Sequence, residues 1–320
     1  MSWTSSLFHL VALVCSAGAP FAASARSTQD PPITWRGCGI TEKAFMAVCA
    51  EAYERETGQR VLLSASGATQ GVRSVAAGSA DLGGTCRHCL PEDFGPESGA
   101  KLAIIAWDAL VAMTHPSNTV DGLSRGDLVE ILSGRTTNWL DAGGADERIV
   151  VCGRKEDESG VGVMERLMIF RDPSFEYPRD SVLLRSSGPL ESFVERTPGS
   201  IVVTGVSSAR KRAAKVLEID GVAPTAQAIA SGAYPYFRPL YLVYRPEGDE
   251  RVLSFVRWML GEKGQATIAN QGTVPLEQGL PLMTKFEHWQ RTETISNYEE
   301  LMRRARALET IGMPATGPGG

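Results

Sequence analysis

The order of strand-like and helix-like stretches near the start of the chain constrains the fold more than any other feature of the sequence. Apolar strand patterns occupy 31–40, 60–71 and 80–86, and helical patterns occupy 41–58 and 72–78 between them. A strand–helix–strand order places helices on the faces of a parallel sheet. The sequence therefore predicts an α/β fold.

The same alternation resumes in the second half of the chain. Strand patterns lie at 109–115, 147–154, 200–206 and 239–245, with helical patterns between and after them. A chain of 320 residues is too long for one small core and comfortable for two domains. Its 43% hydrophobic and 22% charged residues are typical of an ordinary globular protein.

The first 25 residues differ from the rest, because they contain no Lys, Arg, Asp or Glu. The apolar run 7–15 is far too short to span a bilayer, and the Ala-Ser-Ala at 23–25 fits a cleavage site. We interpret 1–25 as a cleaved signal peptide and expect a periplasmic protein without a transmembrane span. Cys15 would instead mark a lipoprotein, but the residue before it is bulky where such sites have a small one.

Charge and motifs favour binding of a small molecule over other functions. The formal net charge of −5 gives no reason to expect nucleic acid or an anionic membrane surface as a partner. The nucleophile elbow Gly-x-Ser-x-Gly, the Walker A loop and the His-Glu-x-x-His motif do not occur in the sequence. We therefore expect no catalytic activity and no cofactor.

Three small, polar loops that contain glycine follow strands and open helices, at 37–41, 64–71 and 153–162. A helix N-terminus offers unpaired N–H groups and about half a positive charge. Several such ends aimed at one point form an oxyanion site without many cationic side chains. Arg87 and Arg154 can add bidentate hydrogen bonds. Each loop taken alone is more simply interpreted as a plain capping loop, but three such loops in one chain favour a binding site.

The segment 86–89 reads Cys-Arg-His-Cys and leaves several interpretations open. The chain has six cysteines, and removal of the signal peptide leaves an odd number. In an oxidising compartment paired cysteines usually form disulfides. The pair can be a disulfide, a metal site, a redox pair or part of a ligand-binding loop. Cys49 lies on an apolar helix stripe and is expected in the core.

Longer segments resemble the phosphate-type periplasmic solute-binding proteins, which are the extracytoplasmic components of ABC importers. The resemblance runs from about Ile33 to Leu282. The segments that carry it are GSADLGGTCR (78–87), LAIIAWDALVAMTHPSN (102–118), LSRGDLVEILSGRTTNWLDAGG (123–144), YPYFRPLYLVYR (234–245) and FVRWMLGEKGQATIANQGTVPL (255–276). The long block around 128–139 is the most specific of them.

The resemblance implies a two-domain type II periplasmic-binding-protein (Venus-flytrap) fold of the α/β class, with two hinge strands. The expected boundaries are 30–108 plus 246–283 for domain 1, 109–238 for domain 2, 109–115 and 239–245 for the hinge strands, and 284–320 for a C-terminal helix and disordered tail. Closure about the hinge would bury a ligand that both domains hold.

The resemblance also implies where the ligand is bound, namely in the cleft between the two domains. The predicted ligand-binding residues are Cys38, Gly39, Thr41, Ser66, Gly67, Thr69, Thr85, Cys86, Arg87, Arg154, Ser159 and Gly160. We expect a monomer that captures a small phosphate-like inorganic oxyanion. It would deliver the anion to the membrane subunits of an ABC importer, or present the closed form to a sensor protein.

The ligand loops depart from the family pattern, which puts the identity of the ligand in doubt. Cys38 stands in a loop that is usually rich in Ser and Thr, Cys86 replaces a Ser before Arg87, and 159–161 is Ser-Gly-Val instead of Ser-Gly-Thr. A thiol is a weak donor and a soft ligand, so it would suit Cu(I), Zn(II) or trivalent arsenic.

Two alternative functions follow from these thiols. The first is a soft metal or metalloid site; its candidate ligands are Cys38, Cys86, Cys89, Cys152 and His88. The second is a thiol redox protein or metallochaperone on the same fold. A structural disulfide among Cys38, Cys86 and Cys89 is the interpretation that involves no ligand.

Overall fold

The computed structural model describes residues 30–88, 95–155 and 159–290. The strands are β1 (Ile33–Gly37), β2 (Val61–Ala65), β3 (Leu82–Thr85), β4 (Lys101–Thr114), β5 (Gly122–Leu123), β6 (Val150–Arg154), β7 (Val182–Leu184), β8 (Ser200–Gly205), β9 (Lys215–Val216), β10 (Glu218–Ile219), β11 (Phe237–Tyr244) and β12 (Val274–Pro275). The predicted signal peptide lies outside the described residues.

The helices alternate with these strands as the sequence predicts. They are α1 (Gly39–Thr41), α2 (Ala47–Thr57), α3 (Ala68–Ala76), α4 (Arg125–Leu132), α5 (Gly160–Glu165), α6 (Ser187–Val194), α7 (Val206–Ala209), α8 (Ala226–Ser231), α9 (Glu250–Leu260), α10 (Glu262–Ala269) and α11 (Leu280–Trp289). Two π-helical turns, Glu42–Met46 and Arg166–Phe170, continue α1 into α2 and extend α5. Short 3-10 turns occupy Gly95–Glu97 and Trp139–Ala142.

Helix boundaries follow from local capping chemistry. Ser124 accepts a hydrogen bond from the backbone N–H of Asp127, whose carboxylate bonds back to Ser124, so a capping box starts α4. Gly58 ends α2 in the left-handed conformation, with φ of 77°, which glycine adopts without a Cβ penalty. The predicted helix at 41–58 therefore ends where the sequence indicates.

The main sheet combines two parallel sets of strands with an antiparallel pair between them. Its strand order is β2-β1-β3-β11-β4-β8-β6-β7. β1 pairs in parallel with β2 and β3, and β6 pairs in parallel with β7 and β8. β11 and β4 are antiparallel to each other and to their outer neighbours, β3 and β8. Helices follow the carboxyl ends of both parallel sets.

The strand β4, with 14 residues, takes part in both halves of this sheet. Its residues Lys101–Ala109 pair with β11, and its residues Leu110–Thr114 pair with β8. The predicted hinge strands at 109–115 and 239–245 thus correspond to the second part of β4 and most of β11. The predicted domain boundaries themselves stay predictions.

The C-terminal region was predicted as a helix and a disordered tail after residue 283. In the structure α11 spans Leu280–Trp289 and places Phe286 against Trp107, with ring centroids 6.0 Å apart. The predicted amphipathic stretch and tail at 291–320 lie outside the described residues. Among the helices that the structure describes, none is long and apolar enough to cross a bilayer.

A buried ion pair joins the two central strands. Arg238 of β11 donates from Nη2 to Asp108 Oδ2 of β4 at 3.1 Å, and both side chains are fully buried. The other Asp108 oxygen accepts from the backbone N–H and the hydroxyl of Ser207, at 3.0 and 2.7 Å. Arg238 Nη1 donates to the carbonyl of Cys86 at 3.3 Å. One pair therefore links β4, β11, the start of α7 and the loop after β3.

We predict that Asp108→Asn lowers the free energy of unfolding by roughly 3–5 kcal/mol, because it leaves the Arg238 charge buried without its counter-ion. Urea denaturation followed by circular dichroism measures the effect. The matched control is Asp180→Asn, which removes an exposed partner of Arg148 in a pair at 2.7 Å. Equal urea midpoints for the two variants would contradict the prediction.

Candidate functional site

A cleft of about 530 Å³ lies where loops from both parallel sets of strands meet. The predicted ligand residues that line it are Cys38, Gly39, Ser66, Gly67, Thr69, Cys86, Arg154, Ser159 and Gly160. A cavity of about 610 Å³ elsewhere is lined by residues of α4 and α11 and contains none of the predicted site residues. The smaller cleft is therefore the candidate binding site.

Each of the three predicted loops brings a helix N-terminus to this cleft. The Cys38 sulfur accepts a hydrogen bond from the backbone N–H of Thr41 at 3.3 Å and so caps α1. The Ser159 hydroxyl accepts from Gly162 N–H at 2.9 Å and caps α5. Gly67, with φ of 106°, precedes α3, a conformation that favours glycine. The helix starts place backbone N–H groups and partial positive charge around one volume.

Arg154, at the end of β6, is a buried cationic side chain that also lines the cleft. It is only 2% exposed. Its Nη2 donates to the Ser187 hydroxyl at 2.9 Å and to the Val203 carbonyl at 3.4 Å. Its Nη1 is buried and has no hydrogen-bond partner among the described residues. A buried guanidinium with an unused donor can accept a bound anion with little rearrangement.

Glu165, on α5, places a carboxyl group near Arg154. Burial raises the pKa of Glu165 to about 7, although Tyr177 and the positive charges of Arg154 and Arg166 act in the opposite direction. A carboxyl with this pKa is only partly ionised at neutral pH. Glu165 therefore offsets only part of the Arg154 charge.

Cys38 and Cys86 both line the cleft as free, buried thiols. Burial, followed by the hydrogen bond to Cys86, raises the pKa of Cys38 well above its usual value. The hydrogen bond from Cys38, helped by the charges of Arg238 and Arg154, lowers the pKa of Cys86 to about 7. A structural disulfide between these two residues, which the sequence left open, is not present. Cys89 lies outside the described residues.

Three of the predicted ligand residues do not line the cleft. Thr41 is fully buried, and its hydroxyl donates to the Cys38 carbonyl at 2.9 Å. Thr85 is also buried and donates to the Arg87 carbonyl at 3.2 Å. Both hydroxyls therefore stabilise the loops from behind instead of facing the cleft.

Arg87 was predicted as a bidentate donor to the ligand, but in the structure it does not line the cleft. Its Nη2 contacts Glu97 Oε1 at 2.5 Å, and its side chain is completely buried. It also donates to the hydroxyl of Thr69 at 2.9 Å and to the carbonyl of His88 at 2.8 Å. Glu97 already neutralises this guanidinium, so Arg87 orders the loop and positions Thr69.

The other proposed metal ligands also lie apart from the two thiols. The Cys152 sulfur is directed at the Val150 carbonyl, at 3.7 Å, and burial raises its pKa to about 12. Burial lowers the pKa of His88 to about 4. Neither residue lines the cleft. Within 30–88, 95–155 and 159–290, no group of three or more His, Cys, Asp and Glu side chains is arranged to hold a metal ion.

The structure adds a fourth loop that sequence reasoning missed. Arg185 and Ser186 connect β7 to α6, Ser187 and Gly188 begin α6, and all four residues line the cleft. The signal was readable, because this Arg-Ser-Ser-Gly run is short, polar and contains glycine, as the other three loops do. Lys43, Gln70 and Arg73 also line the cleft. Lys43 already contacts Glu191 at 3.2 Å and the Ser208 hydroxyl at 2.9 Å, so its charge is largely neutralised.

Gly160 shows how closely the two walls of the cleft approach each other, where one wall is the N-terminus of α5 and the other contains Ala68 and Cys86. A Cβ atom built on Gly160 would lie 2.6 Å from the Cys86 sulfur and 2.7 Å from the Cβ of Ala68. Only glycine allows the N-terminus of α5 to pack against Cys86 and Ala68 without displacement. By contrast, a Cβ on Gly39 in the same cleft would meet no atom within 4 Å.

We predict that Gly160→Ala lowers the free energy of unfolding by about 1–3 kcal/mol, because the added methyl group overpacks the contact between α5 and Cys86. Chemical denaturation in urea measures this. Gly39→Ala is the matched control and is expected to be neutral or slightly stabilising, because an alanine fits its helical position. A Gly160→Ala protein as stable as the wild type would show that the two walls do not touch.

We predict that Cys86, which lines the cleft but is only 1% exposed, reacts slowly with iodoacetamide, at a rate that rises with pH and reaches half its maximum near pH 7, because the thiolate is the nucleophile. Quenched alkylation followed by peptide mass spectrometry measures the rate for each cysteine. Cys49 and Cys152, whose pKa burial raises to about 12, serve as internal controls and stay unmodified at this pH. A half-maximum for Cys86 at pH 9 or above would overturn the assignment.

Comparison with known proteins identifies the family. The family model described as the PBP superfamily domain matches residues 24–263. The phosphate-binding protein PstS of Borreliella burgdorferi is 26% identical over 221 residues, which are 67% of this chain and 78% of that protein. The phosphate-binding protein PstS of Bacillus subtilis is 23% identical over 251 residues, with 76% and 80% of the two chains covered.

A solved structure gives the same result. The substrate-binding protein of a phosphate ABC transporter from Clostridium perfringens, as its name describes it, was solved with bound phosphate and is 25% identical. It superposes with a TM-score of 0.68 over 77% of this chain and 99% of its own. The prediction of a two-domain periplasmic-binding-protein fold is thereby confirmed. The chain belongs to the PBP superfamily, as a member of its non-enzymatic solute-binding components.

Proposed function

We propose that the protein captures a small phosphate-like inorganic oxyanion in the cleft between its two domains and hands it to an ABC importer. The observation that carries this proposal is the unpartnered Nη1 of Arg154, which is buried at the cleft. A buried cationic donor without a partner is costly, and an anion bound in the cleft would satisfy it.

The contrast among the buried arginines supports the role of Arg154. Arg87, Arg154 and Arg238 are the three arginines among the largest fully buried side chains. Arg87 pairs with Glu97 and Arg238 pairs with Asp108. Arg154 contacts only a hydroxyl and a carbonyl, and a partly neutral Glu165 lies nearby. Arg238 Nε also has no hydrogen-bond partner among the described residues, but Asp108 neutralises the Arg238 charge, and of the three only Arg154 lines the cleft.

The helix N-termini supply the remaining hydrogen bonds in this proposal. Backbone N–H groups at the starts of α1, α3, α5 and α6 surround the cleft, with hydroxyls of Ser66, Thr69, Ser159 and Ser186 at its walls. A formal net charge of −5 would repel an anion at long range, so capture depends on these local groups. The names of the relatives, which bind phosphate, agree with this ligand class.

Transport and location follow from the same proposal. The protein would be exported through cleavage of its first 25 residues and would act as a monomer in the periplasm. Bending of β4 and β11 would close 30–108 plus 246–283 over 109–238 around the anion. The closed form would then be recognised by the membrane subunits of the importer or by a sensor protein.

A three-thiolate metal centre is less well supported than anion capture. Cys38 and Cys86 both line the cleft, but Cys152 and His88 do not. A structural zinc site usually needs four ligands. No other feature of the described residues favours a redox protein or a metallochaperone, so anion binding remains the primary proposal.

We predict that Arg154→Gln weakens phosphate binding at least about 30-fold, since loss of a buried charged partner costs about 2–5 kcal/mol. Isothermal titration calorimetry with inorganic phosphate measures the affinity, and the phosphate-dependent rise in melting temperature confirms it by mass action. Arg148→Gln, at an exposed arginine outside this cleft, is the matched control.

Ser187→Ala gives a second variant in case Arg154→Gln does not fold. It removes the hydroxyl that orients Arg154 and is expected to weaken binding by a smaller factor. If wild-type protein shows no phosphate, arsenate or sulfate binding, anion capture is wrong. If binding is intact in Arg154→Gln, the cleft binds anions without Arg154 and the assignment of this residue fails.

A further inference from the structure

We infer that Cys38 and Cys86 form a two-thiol site for trivalent arsenicals, a class of ligand chemically different from an oxyanion. Both cysteines line the same cleft, and they lie close enough for the pKa of each thiol to depend on the other. This inference goes beyond anion capture and does not depend on it. A thiol pair binds arsenic covalently whether or not the cleft also holds phosphate.

The sheet holds the two thiols together in the absence of any ligand. β1 and β3 are adjacent parallel strands, with Gly37 opposite Gly84. The backbone N–H of Cys38 donates to the Gly84 carbonyl at 3.0 Å, which continues the pairing past the end of β1. Cys38 and Cys86 therefore project from neighbouring strand ends whose separation is set by backbone hydrogen bonds. A chelating pair arranged in advance loses little entropy on binding.

The reaction of such a pair with an arsenical requires no oxidant or reductant. An organic arsenic(III) species, RAs(OH)₂, exchanges each As–OH bond for an As–S bond. Each thiol gives up one proton, each hydroxide leaves as water, and arsenic stays trivalent. Sulfur is a soft ligand and matches this soft centre better than hydroxyl groups do. Two thiols satisfy both exchangeable positions of a monosubstituted arsenical.

The electrostatic surroundings give the two sulfur atoms different roles. Arg238 and Arg154 lie near Cys86 and favour its thiolate, and Cys38 keeps its proton and donates the hydrogen bond between them. Cys86 is therefore the first sulfur to attack arsenic. Cys38 closes the chelate in the second step, after its proton has passed to the departing hydroxide.

The described residues favour two thiols over three. Cys49 lies in the core, and the Cys152 sulfur is directed at the Val150 carbonyl. Neither lines the cleft that contains Cys38 and Cys86. The site therefore suits a ligand with two exchangeable positions better than a metal ion that requires three or four ligands. Cys89 lies outside the described residues, so the experiment tests it by identifying which cysteines the arsenical protects.

Gly160 indicates that the arsenical and a closed cleft exclude each other. The N-terminus of α5 packs on Cys86 so closely that even a Cβ on Gly160 would lie 2.6 Å from the sulfur. An arsenic atom bonded to that sulfur needs the same volume. We therefore expect an adduct to hold the two walls of the cleft apart.

The experiment uses the full chain, reduced and freed of reductant, with phenylarsine oxide as the probe. We expect one equivalent to bind and to protect two cysteines from alkylation by N-ethylmaleimide. Peptide mass spectrometry should identify Cys38 and Cys86 as the protected pair. This readout needs no variant, so it stays informative even if a substituted protein fails to fold.

Substitutions then test the pair directly. Cys38→Ser and Cys86→Ser should each weaken phenylarsine oxide binding by about 100-fold or more, since a single thiol loses the chelate's effective concentration. Cys49→Ser is the matched control and should bind like the wild type. Phosphate affinity, measured on the same wild-type protein, tests anion capture separately. Protection of Cys86 with Cys89, or unchanged binding by the Cys38→Ser, Cys86→Ser double variant, would overturn the inference.

Discussion

The Asp108–Arg238 ion pair is the interaction on which the geometry of the cleft depends. It joins β4 to β11 at the point where the sheet passes from one parallel set to the other. Through Ser207 it fixes the start of α7, and through the Cys86 carbonyl it fixes the loop that carries a thiol of the site. Charges buried in this way cost solvation energy that their mutual bonds must offset. The pair therefore ties the position of the ligand loops to the integrity of the central strands.

Most of the fold could be predicted from local patterns in the sequence. The alternation of strands and helices, the end of α2 at Gly58 and the start of α4 at Ser124 all follow from periodicity and capping. The full length of β4 was not predicted, because Asp108 interrupts the apolar run 102–113 near its middle. The structure accommodates this carboxylate through Arg238, which lies 130 residues away. A pairing between residues so far apart cannot be inferred from local sequence patterns.

The sequence predicted three of the loops that line the candidate site, because those loops precede helices. It did not predict which side chains pair with each other inside the protein. The loops at Cys38, Gly67 and Ser159 line one cleft, because parallel strands bring their carboxyl ends to the same edge of a sheet. Arg87 was assigned to the ligand, but Glu97, only ten residues further on, binds it in the interior. The loop at 185–188 was overlooked although its composition resembled that of the others. Residue type alone does not reveal which arginine is already neutralised.

The two walls of the cleft offer different chemistry, and this difference decides what the protein can bind. On one wall Arg154 presents a hard guanidinium donor without a hydrogen-bond partner among the described residues at its Nη1. On the other wall Cys38 and Cys86 present soft sulfur, and Cys86 is partly ionised at neutral pH. A thiolate repels an anion, so an anion near both groups favours the protonated form of Cys86. Anion affinity should therefore be greatest below pH 7 and decline as pH rises through about 7, because the Cys86 thiolate and the Glu165 carboxylate, whose pKa values both lie near 7, then compete for the same positive field.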